Sequence, residues 1–285
     1  MTMKSFYKSL IIIGSLILSA TFLHAQNSSS PANNYKLVKD LPYYQTGTAD
    51  LTPYRQERCK LDVYYNPDCH DLPVVVWFHG GGLTGGSKHI PDGLKNKKIV
   101  VVAVNYELSP KAKCKEIIED AGAAVAWTFA HIAEYGGNPQ KIFLSGHSAG
   151  GYLSLMVGMD PRYLAPYKLS PSQLAGVFSI SGQTITHFTI RKERNISDKQ
   201  PLIDEFAPLH HVGTPNLPPI ILTTGDREKE LLGRYEENAY LMRMLKLNGY
   251  PKTILYEIQG YGHVVGEPSI PLLVEFINKS GQNAK

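Results

Sequence analysis

Two uninterrupted β-branched runs, Pro73-Val-Val-Val-Trp-Phe78 and Ile99-Val-Val-Val-Ala-Val104, leave this chain few folds to choose from. A strand with one wet face alternates apolar and polar residues, whereas a run apolar at every position must be covered on both faces. Helices give that cover, and the sequence supplies them in alternation. Ile117 to Tyr135 reads as a helix stopped by Gly136-Gly137, and Lys141 to Ser145 as the next strand. A helix over Gly151 to Met159 follows, then strands over Leu174 to Ile180 and Pro219 to Thr224. The pattern closes with a helix over Tyr235 to Asn248, a strand over Thr253 to Ile258 and a helix over Pro271 to Ser280. Upstream, Cys59 to Tyr65 alternates as an early strand would. The class is α/β, a mostly parallel sheet with helices on both faces. Gln183 to Val212 fits neither period and reads as an insertion over one end of the sheet, a candidate cap.

A length of 285 residues suits one α/β domain, placed here at 55–285 behind a leader and first strand region at 26–54. Met1 to Ala25 reads as a signal peptide: Lys4 and Lys8 give its positive end, and the apolar stretch from Leu10 to Leu18 is short for a bilayer. The expected product is secreted or periplasmic, with no stable membrane insertion after cleavage near Ala25. The formal charge of +4 falls further when those two lysines leave, and no basic stripe stands out, so nucleic acid is not an expected partner. Arg191, Lys192 and Arg194 read as a solvated charged loop. In an oxidising compartment two of Cys59, Cys69 and Cys114 could bridge, and their spacing fits no zinc pattern. No cofactor or metal is expected.

The chemistry concentrates in Gly146-His147-Ser148-Ala149-Gly150, where a strand runs in and a helix runs out. A serine on such a tight turn needs glycine two positions to either side, and the helix beyond aims its positive end at the hydroxyl. Ser148 is the expected nucleophile. His79-Gly80-Gly81-Gly82 follows the strand ending at Phe78. Glycines let main-chain N–H groups turn inward toward a developing oxyanion, so Gly81, Gly82 and the amide of Ala149 are the expected donors. His79 itself reads as a brace for that loop. The same loop matches the spacing of a dinucleotide fingerprint (Gly80, Gly82, Gly85), but Gly86, His89 and Pro91 follow where a helix should open. With an elbow of this kind the order is serine, acid, histidine. His263 is the one histidine beyond Thr224, while His187, His210 and His211 fall in the insertion and read as surface or cap residues. Three carboxylates follow Thr224: Asp226, Glu228 and Glu230, of which Asp226 has the shorter and commoner acid side chain.

Taken together, His79-Gly-Gly-Gly82, Tyr106-x-Leu-Ser-Pro110, Glu119-Asp120-Ala-x-x-Ala-x-x-Trp127, Gly146-His-Ser-Ala-Gly-Gly151 and His263 resemble the α/β-hydrolase esterases related to hormone-sensitive lipase. Within that group the chain is most similar to the bacterial branch that includes secreted carbohydrate and feruloyl esterases. The resemblance implies an eight-stranded, mostly parallel sheet and a serine triad that cuts carboxylic esters without a cofactor. A small-molecule or polysaccharide-linked ester, acetyl or feruloyl, is the implied substrate. It also implies an acid three residues after Gly225, which favours Glu228 and leaves Asp226 and Glu228 as the two candidates. Glu107 departs from the arginine the family carries there, and so alters an ion pair. A serine exopeptidase on the same fold is the alternative; such relatives carry a large extra domain, for which 285 residues leave no room. A non-catalytic binding protein is the other, against which the intact serine, histidine and glycines count.

Overall fold

A computed structural model describes residues 34–45, 51–231 and 233–282; the expected signal peptide lies outside them. The strands are β1 (Lys36–Pro42), β2 (Lys60–Tyr65), β3 (Leu72–Phe78), β4 (Val100–Val104), β5 (Gly137–His147), β6 (Gly176–Ile180), β7 (Ile220–Gly225) and β8 (Ile254–Ile258). The helices are α1 (Pro53–Arg58), α2 (Cys114–His131), α3 (Ala149–Met159), α4 (Phe188–Glu193), α5 (Arg234–Leu247) and α6 (Gly266–Gln282). The eight strands form one sheet in the order β1-β2-β4-β3-β5-β6-β7-β8, antiparallel at β1–β2–β4 and parallel from β4 to β8. This is the α/β-hydrolase architecture.

The two valine runs do what their composition requires. Val74, Val76, Val100 and Val102 enter one core with Ile117, Ile118, Leu153 and Met156 of α2 and α3. Val75, Trp77 and Val101 point the other way, into a second core with Ile270, Leu273 and Ile277 of α6. Each fully covered valine contributes about 1.5–3 kcal/mol relative to exposure, so the centre of the sheet is its most stable part. The functional end lies where β3, β5, β6 and β7 stop, beneath the loops that follow them.

Several expectations need correction. The last helix begins at Gly266, with Pro271 inside it rather than at its start. Strand β5 runs back to Gly137, and α3 begins directly after the serine at Ala149. No disulfide forms: Cys59 and Cys114 are buried, Cys69 is half-buried, and all three are free. They sit on separate elements, and Cys114 Sγ instead donates to Glu193 Oε1 at 3.3 Å. Arg191 is not a solvated residue; it is 2% exposed. His187 is equally buried, as the cap of α4, its Nδ1 accepting from Thr189 N. Glu107, the departure noted above, pairs with Arg55 Nε at 2.8 Å, a cation supplied by α1. Among the described residues no helix is long and apolar enough to cross a membrane.

Candidate active site

Ser148 occupies the turn between β5 and α3 with φ 57° and ψ −116°, a conformation that costs a non-glycine residue about 1–3 kcal/mol. The surroundings impose it. Its N–H donates to Ile180 O on β6 at 2.8 Å, and Gly150 lies so close to β3 that a β-carbon there would stand 1.9 Å from Phe78 O. The chain therefore reverses within one residue and pushes the Ser148 side chain out at the sheet's end.

His263 sits on the loop between β8 and α6. Its Nε2 lies 2.8 Å from Ser148 Oγ, and its Nδ1 lies 2.7 Å from Glu230 Oε1. The Glu230 carboxylate is 0% exposed yet fully bonded: Oε1 also accepts from Leu231 N, and Oε2 from Ser181 Oγ and Gly225 N. Burial alone would raise this carboxyl; the bonds from His263, Ser181, Leu231 and Gly225 outweigh it and hold the pKa at about 2. An ionised Glu230 keeps the proton of His263 on Nδ1 and leaves Nε2 free to accept one. Beneath this line His147 Nε2 donates to His263 O at 2.7 Å, tying the histidine loop to the elbow.

Opposite stands the glycine loop. A β-carbon on Gly80 would lie 3.5 Å from Ser148 Cβ, so the loop borders the hydroxyl directly. Gly81 has φ 113°, open only to glycine without strain, and a β-carbon there would strike Gly85 O. The N–H groups of Gly81 and Gly82 make no bond to any described residue. Ala149 opens α3, so its N–H lacks a helical acceptor. His79 braces the loop: burial pushes its imidazole down to about 4, so it is neutral. Its Nδ1 donates to Gly80 O at 2.7 Å, and its ring stacks on Tyr106 at 4.2 Å. Tyr106 in turn donates its hydroxyl to His79 O.

A model of the BD-FAE family matches residues 61–236. The chain belongs to that family. It is similar to a probable isoprenylcysteine alpha-carbonyl methylesterase of Arabidopsis thaliana, 26% identical over 71% of this chain and 48% of that one. It is also similar to carboxylesterase NlhH of Mycobacterium tuberculosis, 33% identical over 50% of this chain and 47% of that one. The chain thus spans about half the length of these curated relatives. Among solved structures, a truncated carbohydrate esterase from gut microbiota superposes with a TM-score of 0.69 at 17% identity, covering 88% of this chain and 98% of that one.

In this BD-FAE chain the carboxylate that meets His263 is Glu230, neither of the two that the sequence favours. Asp226 Oδ1 and Oδ2 accept from the N–H groups of Glu228 and Gly260, and Glu228 is exposed; neither reaches His263. The reason is a single helical turn after β7. Asp226 O accepts from both Lys229 N and Glu230 N, so residue 230 returns beneath the strand end while residue 228 swings outward. Asp226 shapes the turn that delivers Glu230. No local signal marks this, since an extended loop and a closed turn share the same composition. Among the described residues Cys59, Glu107 and Asp120 come close enough to ligate a metal, but the Arg55 guanidinium already serves those carboxylates at 2.8 and 3.4 Å.

Glu230 also gives the fold an acid-labile element. Its folded pKa of about 2 lies below the ordinary 4.5, so its contribution is complete above about pH 4.5 and is lost as pH falls toward 2. Glu230→Gln should therefore melt below the wild type at pH 6, with the gap closing as pH falls through that window. A gap independent of pH would contradict an ionised Glu230.

Proposed function

We propose that this BD-FAE chain is a serine carboxylic-ester hydrolase, with Ser148, His263 and Glu230 as its triad. The observation that carries the reading is the unbroken hydrogen-bonded line from Ser148 Oγ through His263 to Glu230, set beside glycine amides that have no other partner. Ser148 Oγ attacks the ester carbonyl as His263 Nε2 takes its proton. The carbonyl oxygen becomes an alkoxide and is met by the N–H groups of Gly81, Gly82 and Ala149. His263 returns the proton to the departing alcohol, leaving an acyl-serine. Water, deprotonated by the same imidazole, then frees the acid.

Within that class we favour acetyl or feruloyl groups on plant polysaccharide, cut outside the cytoplasm. The family, the carbohydrate-esterase neighbour and the apolar, positively headed stretch at the N-terminus support this choice. Native protein treated with a fluorophosphonate should gain one adduct, mapped by peptide mass spectrometry to Ser148. It should also hydrolyse para-nitrophenyl acetate. A protein that neither labels nor turns over the ester would overturn the hydrolase reading. Comparing acetylated xylan, methyl ferulate and para-nitrophenyl butyrate ranks the acyl groups.

A further inference from the structure

The β6–β7 connection and the first turn of α5 enclose a cleft of about 940 Å³ that the mechanism above does not use. Ile185, Phe188, Ile203, Leu209, Leu231 and Tyr240 form the apolar part of its walls. It adjoins the site at two points. Phe188 lies against the glycine loop, its Cζ 3.0 Å from where a β-carbon on Gly82 would be, and Leu231 follows Glu230 directly. Three of these wall residues are about half exposed, Ile203 at 49%, Leu231 at 48% and Tyr240 at 52%, so the cleft opens outward through an apolar mouth.

At its inner wall the charges do not balance. Arg191 and Arg234 are 2% and 4% exposed, and Glu237 at 9% is the buried carboxylate that faces them both. Arg234 Nε lies 2.8 Å from Glu237 Oε1 as an ion pair without making a hydrogen bond, while its Nη1 donates to Ser181 O. Arg191 spends Nη1 on the carbonyls of Asp198 and Gln200, and its Nε has no partner. Its Nη2 likewise bonds no described residue. Asp198 at the rim also acts on Arg191, but it is exposed, as are Lys199 and Glu236, so water screens all three. Two buried guanidiniums sharing one carboxylate leave a positive excess, and a buried cation without a full complement of acceptors is costly.

We infer that this cleft is a subsite for a carboxylate carried on an apolar body, with Arg191 as its specificity-determining cation. The inference rests on the reading of Ser148 as an esterase nucleophile but not on the acetyl or feruloyl choice, to which it opposes an acidic ester as the substrate. A neutral ester would leave Arg191 Nε without an acceptor; an acidic group at the far end of an aromatic or alkyl chain supplies one. Whether that group lies on the acyl or the alcohol side, the chemistry at Arg191 is the same.

Isothermal titration calorimetry on Ser148→Ala with phenylbutyrate and phenylbutyramide, ligands of nearly equal shape, tests this without turnover. The acid should bind about tenfold more tightly than the amide, the order expected for a charge-assisted hydrogen bond. Adding Arg191→Gln should abolish the difference, and Arg191→Lys should restore part of it. Equal affinities, no measurable binding of either, or a preference that survives Arg191→Gln would overturn the subsite. Because Arg191 also ties two carbonyls, its variants are first checked for an unchanged melt. Should they fail to fold, Ile203→Glu at the mouth decides: acid binding weakened about threefold more than amide binding supports the subsite, and equal changes for the two ligands overturn it. Failure of fluorophosphonate labelling would count against the hydrolase reading alone.

Discussion

Replacing Glu230 by glutamine is expected to lower kcat for a short ester by about 10³–10⁴-fold, the loss typical when the triad carboxylate becomes an amide. The amide retains the shape of the carboxylate but not its charge. Its nitrogen can donate to His263 Nδ1, which moves the imidazole proton to Nε2, the atom that must accept from Ser148. With its nitrogen in place of Oε1 it also fails two of the four donors that converge on Glu230, His263 and Leu231, and keeps only those from Ser181 and Gly225. Asp226→Asn and Glu228→Gln, by contrast, should each stay within about threefold of wild type, because neither side chain meets the imidazole. Steady-state kinetics on the three variants, with circular dichroism to confirm folding, separate the possibilities. Near-normal turnover by Glu230→Gln, together with collapse in Glu228→Gln, would return the acid to the position that the family resemblance favours.

Gly150→Ala should carry the largest cost to the fold. The added methyl would stand 1.9 Å from Phe78 O and 2.6 Å from Phe78 C, both main-chain atoms of a strand paired on both sides. A flexible side chain could swing away; a central strand cannot. Overpacking costs about 1–3 kcal/mol where neighbours yield, and here they do not, so at least about 3 kcal/mol is expected. For a domain of this size that is a fall in Tm of about 10 °C, or no folded protein at all. The same substitution at Gly213, where nothing lies within 4 Å, should leave Tm unchanged. A Gly150→Ala protein that melts and turns over like wild type would mean that α3 does not press on β3 as described.

The contrast between elbow and acid shows what a sequence can disclose. Ser148 and its flanking glycines are legible because the contact of α3 with β3 excludes any β-carbon, and that exclusion is written into residue identity. His263 is legible by elimination. Glu230 is not, since its place depends on whether residues 226–230 close into a turn, which main-chain bonds decide after the fold has formed. Strand β1 is legible only as a region, 26–54, without bounds: an edge strand with mostly exposed residues carries no alternation to fix them. Pro271 misleads because proline usually opens a helix, while here the turn before it already packs Val265 and Ile270 into the second core. Arg191 reads as a surface charge because basic neighbours flank it, Lys192 and Arg194, and those two are exposed.

Residues 183–212 and the glycine loop share a joint: Thr189 Oγ1 donates to Gly82 O at 2.5 Å, and Phe188 rests on the same residue. On the proposed esterase reading, selectivity and rate are therefore mechanically linked. A chimera that imports residues 183–212 from a relative would exchange not just a substrate frame but also the prop beneath a peptide unit next to the reacting carbonyl. Grafts that keep threonine and phenylalanine at 189 and 188 preserve that prop; grafts that discard them change two properties at once.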